Sequence, residues 1–150
     1  MTVFETIAPE LSVVVPVKDE AENLAPLIDE ICTSLNGTNV GFEIVYVDDG
    51  STDATPALLA DLMAARPELR AIRHRECRGQ SAAIATGVAA ARANLIATLD
   101  GDGQNDPADI PALLTRYREV SAPGDKALMI SGHRRMRKDT WLRRLSSRIA

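Results

Sequence analysis

The apolar positions of this chain fall into short blocks whose periodicity switches back and forth. Leu11-Ser12-Val13-Val14-Val15-Pro16-Val17 is β-branched and nearly continuous, the pattern of a strand covered on both faces. Leu24, Leu27, Ile28, Ile31 and Leu35 then recur at helical spacing, and Asn36-Gly37 ends that helix. A second strand is predicted over residues 42–47, a helix through Leu58, Leu59 and Leu62 stopping near Pro67, and a third strand over 69–73. Residues 82–93 predict a helix of small side chains, in which Ala83, Gly87 and Ala91 permit close approach to a sheet. A fourth strand over 95–99, a helix over 110–120 and a fifth strand over 127–131 complete the series. Cys32 falls on the apolar face of the first helix and reads as a core thiol. Asp19 with Glu22 has the spacing of a capping box, and Ser51 and Thr52 read as caps of the second helix.

Regular alternation of strand and helix predicts an α/β fold, a mostly parallel sheet with helices on both faces. Ligands of such sheets bind beyond the carboxyl ends of the strands. The polar clusters lie there: Lys18-Asp19-Glu20 after the first strand, Asp48-Asp49 after the second, Asp100-Gly101-Asp102 after the fourth. No Gly-x-Gly-x-x-Gly follows the first strand and no P-loop is present. Acidic strand ends imply that a metal, rather than backbone amides, neutralises bound phosphates, with acidic side chains left for ribose hydroxyls or base amides. Asp100 and Asp102 offer oxygen-only ligation, which suits Mg²⁺ or Mn²⁺. A calcium loop is excluded, because its sixth and twelfth positions would be Asn105 and Pro111 instead of Gly and Glu. The alternative is that both aspartates make Asx turns and cap the helix after Pro107.

At 150 residues the chain is one domain's worth, long enough for a sizeable core. No window approaches the ~18 uninterrupted apolar residues of a membrane span, and the N-terminus lacks a basic segment leading into an apolar core. Cys32 and Cys77 share no metal-binding spacing with each other or with His74 and His133, so zinc is not expected. Two lone thiols suit a reducing cytoplasm. The net charge of −4 hides an asymmetry: residues 131–150 carry a local +6 and leave −10 on the rest. Such a basic end implies an anionic partner. Trp141, Leu142, Leu145 and Ile149 share one helical side, with Arg143, Arg144 and Arg148 largely elsewhere. This is the character of an interfacial helix on an anionic membrane, or of a core-packed helix with solvated arginines. Without interleaved aromatics the basic run offers charge but no base reader, so no nucleic acid is expected.

Three ordered motifs run from Val14 to Leu24, from Val47 to Asp53 and from Leu99 to Gln104. They read VVPVKDEAENL, VDDGSTD and LDGDGQ, and they resemble the family-two inverting glycosyltransferases. Gln104-Asn105-Asp106-Pro107 and Ser131-Gly132-His133-Arg134-Arg135 are similar to its polyprenyl-phosphate sugar transferase branch, the dolichol- and undecaprenyl-phosphate enzymes. The resemblance covers nearly the whole chain.

It implies a glycosyltransferase A-type nucleotide-binding fold that takes a UDP- or GDP-linked nucleotide sugar together with Mg²⁺ or Mn²⁺. Carried over by position, it places Pro16, Lys18 and Glu20 in the nucleoside pocket and Val47 and Asp49 beside the base. It places Asp100, Gly101, Asp102 and Gln104 at the diphosphate, the metal being held by Asp100, Asp102 and Gln104. Asp102 and Arg134 would act in catalysis, and Arg134 and Arg148 would hold the acceptor phosphate, with Arg143 or Arg144 replacing Arg148 if the register shifts. Lys18 stands where the family has an aromatic or small polar residue. Residues 1–150 would form a catalytic domain with a complete donor half and a partial acceptor half, truncated at the C-terminus relative to the family. The implied activity is transfer of a sugar to a polyprenyl phosphate at an anionic membrane surface. The implied location is the cytoplasm, or the periphery of the cytoplasmic face of the inner membrane. The alternatives are a nucleotide-binding or interaction module without turnover, and a transferase with a polysaccharide acceptor. The oligomeric state stays open.

Overall fold

A computed structural model describes residues 8–122 and 128–132 of the chain. The elements run β1 (Leu11–Val17), α1 (Ala21–Asn36), β2 (Phe42–Asp48), α2 (Thr55–Ala65), β3 (Leu69–Arg73), α3 (Gln80–Ala90) and β4 (Leu95–Thr98). A short 3₁₀ turn, Pro107–Asp109, leads into α4 (Ile110–Val120). The chain divides into two compact units, residues 1–112 and 113–150.

In the first unit four parallel strands take the order β3-β2-β1-β4. Every residue of β1 is buried, because the strand has a neighbour on each edge and helices over each face. Its continuous valine run is the sequence counterpart of that position. Right-handed crossovers carry α1 and α2 to one face of the sheet, and the return past β1 to β4 carries α3 to the other. α1 buries Leu24, Leu27, Ile28, Ile31, Cys32 and Leu35. Burial pushes the Cys32 thiol up to about 11, helped by its hydrogen bond to Glu68. α3 lies close to the sheet as its small residues predict: a Cβ on Gly87 would fall 2.4 Å from Val14 Cγ1 and 3.1 Å from Val47 Cγ2.

A buried polar cluster ties the amino ends of the strands to the turn before β4. Glu43 Oε1 accepts from Ser12 Oγ at 2.7 Å and from the Arg92 N–H at 2.6 Å, and its Oε2 accepts from Arg70 at 2.8 Å. Burial raises the pKa of Glu43, but these donors outweigh it and hold the carboxyl below the ordinary range.

Two sequence expectations change here. Residues 128–131 form no strand, and Met129 is 86% exposed; residue 127 and the expected basic helix lie outside the described residues. A strand needs a neighbour to share its ladder hydrogen bonds, and apolar composition does not supply one. α3 begins at Gln80, two residues before the predicted start, because Gly79 at φ +92° ends the preceding loop there.

Candidate functional site

The loops leaving β1 and β2 are bonded to each other across more than thirty residues of sequence. Asp19, at φ 54°, donates its N–H to Ser51 Oγ at 2.8 Å, and its Oδ1 accepts from the Thr52 N–H at 2.7 Å. Thr55 Oγ1 accepts from the Glu20 N–H at 3.1 Å, and Asp53 Oδ2 from the Ala21 N–H at 3.3 Å. The expected capping box therefore does not form; Glu20 is the N-cap of α1, and it caps without a side-chain bond. Ser51 and Thr52 likewise do not cap α2, whose N-cap is Ala54. These side chains satisfy the neighbouring loop instead of their own helix. Asp48 closes the same turn, accepting from the Ser51 N–H at 2.8 Å while its Oδ2 lies 3.1 Å from Arg73 Nε.

On the other side of β1, the loop after β4 is pressed against the strand end. A Cβ on Gly101 would lie 2.2 Å from Val17 Cγ1 and 2.8 Å from the Pro16 carbonyl oxygen, so only glycine permits this approach. β1 and β4 thus diverge to opposite crossovers at the point where their loops touch, which is the topological switch point of an open parallel sheet.

A cavity of about 340 Å³ opens there. Pro16, Lys18, Glu20, Asp49, Asp100, Gly101 and Asp102 line it, so loops from three separate strands converge as the sequence suggested. Val47 does not reach it: the side chain is completely buried and faces Gly87 of α3. Gln104 is exposed and outside the lining, and its N–H donates to Asp102 Oδ1 at 3.0 Å. Arg134, Arg148, Arg143 and Arg144 lie outside the described residues.

Sequence reasoning missed the fourth contributor, the segment between β3 and α3. Cys77, Gly79, Gln80 and Ala83 line the cavity, and the segment is pinned by Asp49. Asp49 Oδ1 takes hydrogen bonds from His74 Nδ1 at 2.7 Å and the Arg78 N–H at 2.8 Å. Its Oδ2 takes them from the Gly79 N–H at 2.7 Å and Cys77 Sγ at 3.3 Å. Burial pushes the Asp49 carboxyl up, but this set of donors prevails and holds it well below the usual aspartate range. His74 is itself buried, and its Nε2 lies 2.9 Å from Thr86 Oγ1 on α3. The Cys77 sulfur, hydrogen-bonded to the exposed Lys18 ammonium, raises the lysine pKa. Gly50 turns at φ +74°, and a Cβ there would fall 2.9 Å from the Cys77 nitrogen. The one local hint of all this was a glycine directly before a small-residue helix.

Asp100 is held by two amides: Oδ1 accepts from Gln80 Nε2 at 2.7 Å and Oδ2 from Asn105 Nδ2 at 3.2 Å. Asp102 makes the Asx turn to Gln104, yet the cap at Pro107 comes from Asp106, whose Oδ1 accepts from the Ala108 N–H at 3.0 Å. Capping therefore does not account for Asp100 and Asp102. Among the described residues no three His, Cys, Asp or Glu side chains converge as a metal cluster. Two carboxylates facing a cavity still fit Mg²⁺ or Mn²⁺, which are commonly bound through one or two carboxylates plus substrate phosphates and water. Also among the described residues, no helix is long and apolar enough to cross a membrane.

Residues 12–146 match the profile of glycosyl transferase family 2. The dodecaprenyl-phosphate galacturonate synthase of Rhizobium johnstonii is 37% identical over 142 residues, covering 92% of this chain and 40% of that protein. The undecaprenyl-phosphate 4-deoxy-4-formamido-L-arabinose transferase of Aeromonas hydrophila is 32% identical over 140 residues, covering 93% of this chain and 41% of that one. The chain thus spans about two-fifths of the length of these curated relatives. A mannosyltransferase from Pyrobaculum calidifontis, solved in complex with GDP-Man and Mn²⁺, superposes with a TM-score of 0.58 at 26% identity, over 75% of this chain and 33% of that one. TarS from S. aureus, in complex with UDP-GlcNAc, superposes at 0.56 with 21% identity over 73% of this chain and 31% of that one, a likeness of fold.

Proposed function

The chain belongs to glycosyl transferase family 2, and from that premise we propose that it moves a sugar from a nucleotide-sugar donor to a polyprenyl phosphate, with inversion at the anomeric carbon. The observation that carries this reading is the cavity at the switch point, where Asp100 and Asp102 face the loops of β1 and β2. Residues 1–150 hold the donor half in this reading, with part of the acceptor half.

Pro16, Lys18, Glu20 and Asp49 form the nucleoside side of the pocket, and Asp100, Gly101 and Asp102 the diphosphate side. Asp100 and Asp102 would hold Mg²⁺ or Mn²⁺, which when bound supplies Lewis-acid stabilisation of the leaving nucleoside diphosphate. Gln80 and Asn105 fix the Asp100 carboxylate from behind. An acceptor phosphate is already anionic at neutral pH and needs cationic partners more than a general base. Arg134, with Arg148, has the fork geometry for phosphate oxygens and would bring it beside the donor. The basic segment 131–150 would rest on the anionic cytoplasmic face of the inner membrane, where such an acceptor resides.

Calorimetric titration of UDP- and GDP-sugars, with and without Mn²⁺, tests the reading on the wild type and on Asp102→Ala. Metal-dependent binding that disappears in the variant is the expected result, and the preferred nucleotide identifies the base. Absence of binding by either nucleotide would remove the donor-site reading.

A further inference from the structure

The two aspartates that close β2 turn to opposite faces of the sheet, as strand alternation requires. Asp49 faces the segment before α3, whereas Asp48 lines a second pocket, between α2 and β3. That pocket shares no lining residue with the cavity at the switch point. Pro56, Leu59 and Met63 of α2 and Ala71 of β3 give it an apolar wall. Its volume is about 140 Å³, close to the ~150 Å³ of an apolar protein cavity that admits one benzene ring. At the polar end Asp48 is 1% exposed, and its Oδ2 accepts no hydrogen bond. Arg73 lies alongside with Nε 3.1 Å from that oxygen, but its N–H is not aimed there. Its Nη2 donates instead to the Ser51 carbonyl at 2.9 Å. The ion pair balances charge and leaves the acceptor open.

We propose that this pocket is a second ligand site, for a small neutral molecule whose apolar body, about one ring in size, carries an O–H or N–H donor. Each part of that description answers something the pocket lacks. A buried acceptor without a partner is costly, so its complement brings a donor. Arg73 already supplies the positive charge, so the complement brings none of its own. An anion would meet the Asp48 carboxylate at the only polar end. A lone water would find polar partners at that end and nowhere else, and a buried water needs two to four of them. An apolar body fills the rest of the space against Leu59, Met63 and Ala71 and takes that wall out of water. The site stands independently of the donor-site reading, which makes no use of Asp48 or of α2.

Phenol is the probe. Toluene keeps the ring and lacks the donor, and benzoate adds a negative charge. The reporter is the methyl signal of Met63, followed by NMR in protein labelled at its four methionines and assigned by its loss in Met63→Leu. Phenol should shift that signal saturably. Toluene should bind about tenfold more weakly, for want of one hydrogen bond to a charged group, and benzoate should not bind. Ala71→Leu fills the pocket from β3 and should abolish the phenol shift. Asp48→Asn keeps an oxygen for the Ser51 N–H but turns an amide donor toward the pocket, and should bring phenol down to the level of toluene. If that variant does not fold, the three probes on the wild type decide alone. Saturating UDP or GDP with Mn²⁺ should leave the Met63 response to phenol unchanged. Absence of a saturable Met63 shift, equal affinity for phenol and toluene, or loss of phenol binding on addition of nucleotide would overturn the proposal.

Discussion

Gly101→Ala adds a single methyl at the junction on which the site depends. The new Cβ would start 2.2 Å from Val17 Cγ1 and 2.8 Å from the Pro16 carbonyl oxygen, and both gaps must open to about 3.0 Å or more. Val17 is buried in β1, so its side chain has little room to turn away, and the Pro16 carbonyl is backbone in the same strand. The loop carrying Asp100 and Asp102 has to retreat instead. Overpacking of this kind costs ~1–3 kcal/mol, a sizeable part of the ~5–15 kcal/mol that holds a domain together. The functional loss should exceed the loss in stability, because a displacement near 1 Å in a reacting group costs ~10²-fold in rate. Urea denaturation gives the first quantity and Mn²⁺-dependent nucleotide titration the second. Val17→Ala removes one of the two clashes and should recover part of the stability in a double-mutant cycle, leaving the carbonyl clash in place. A Gly101→Ala protein within ~0.5 kcal/mol of wild type, with unchanged metal-dependent binding, would refute the close-approach reasoning.

Gln80→Ala removes the donor to Asp100 Oδ1; nucleotide affinity measured with Mn²⁺ should fall about tenfold while affinity without metal stays the same. Gly87→Ala puts a methyl 2.4 Å from Val14 Cγ1 and should lower stability by ~1–3 kcal/mol in urea. Glu43 and Asp49 are both held below their ordinary values of 4.5 and 3.8, so each binds its proton more weakly folded than unfolded. Their contribution is complete above pH 4.5 and is lost as pH falls through the folded values. The urea midpoint should therefore decline on acidification, and less steeply in Glu43→Gln; equal slopes in the two proteins would count against the buried cluster.

Much of this molecule is local and could be read directly. The valine run of β1 has the composition of a strand buried on both faces, and it lies at the inside of the sheet. Ala83 and Gly87, spaced one helical turn apart, anticipated a helix pressed on strands. The acidic tripeptide after β4 and the polar ends of β1 and β2 named the cavity, because in a parallel sheet all carboxyl ends share one edge.

What the chain's order could not express was pairing between distant groups. Asp19 looked like the partner of Glu22, but the left-handed turn at Asp19 and the parallel register of β1 with β2 brought Thr52 nearer. Val47 shares its motif with Asp49, yet strand alternation sends its side chain toward α3 instead of the cavity. His74 sits in a charged, loop-like stretch with no motif, and only the stacking of α3 on the sheet places Thr86 and Asp49 on either side of its ring. Residues 128–131 have the apolar character of a strand but are not one among the described residues. Periodicity and turn chemistry act over a few residues, so the sequence alone determined the elements and the edge where chemistry gathers. Hydrogen bonds between residues twenty to thirty-five apart depend on sheet register and helix seating, so the tertiary structure alone decided which carboxylates face the cavity and which hold its walls.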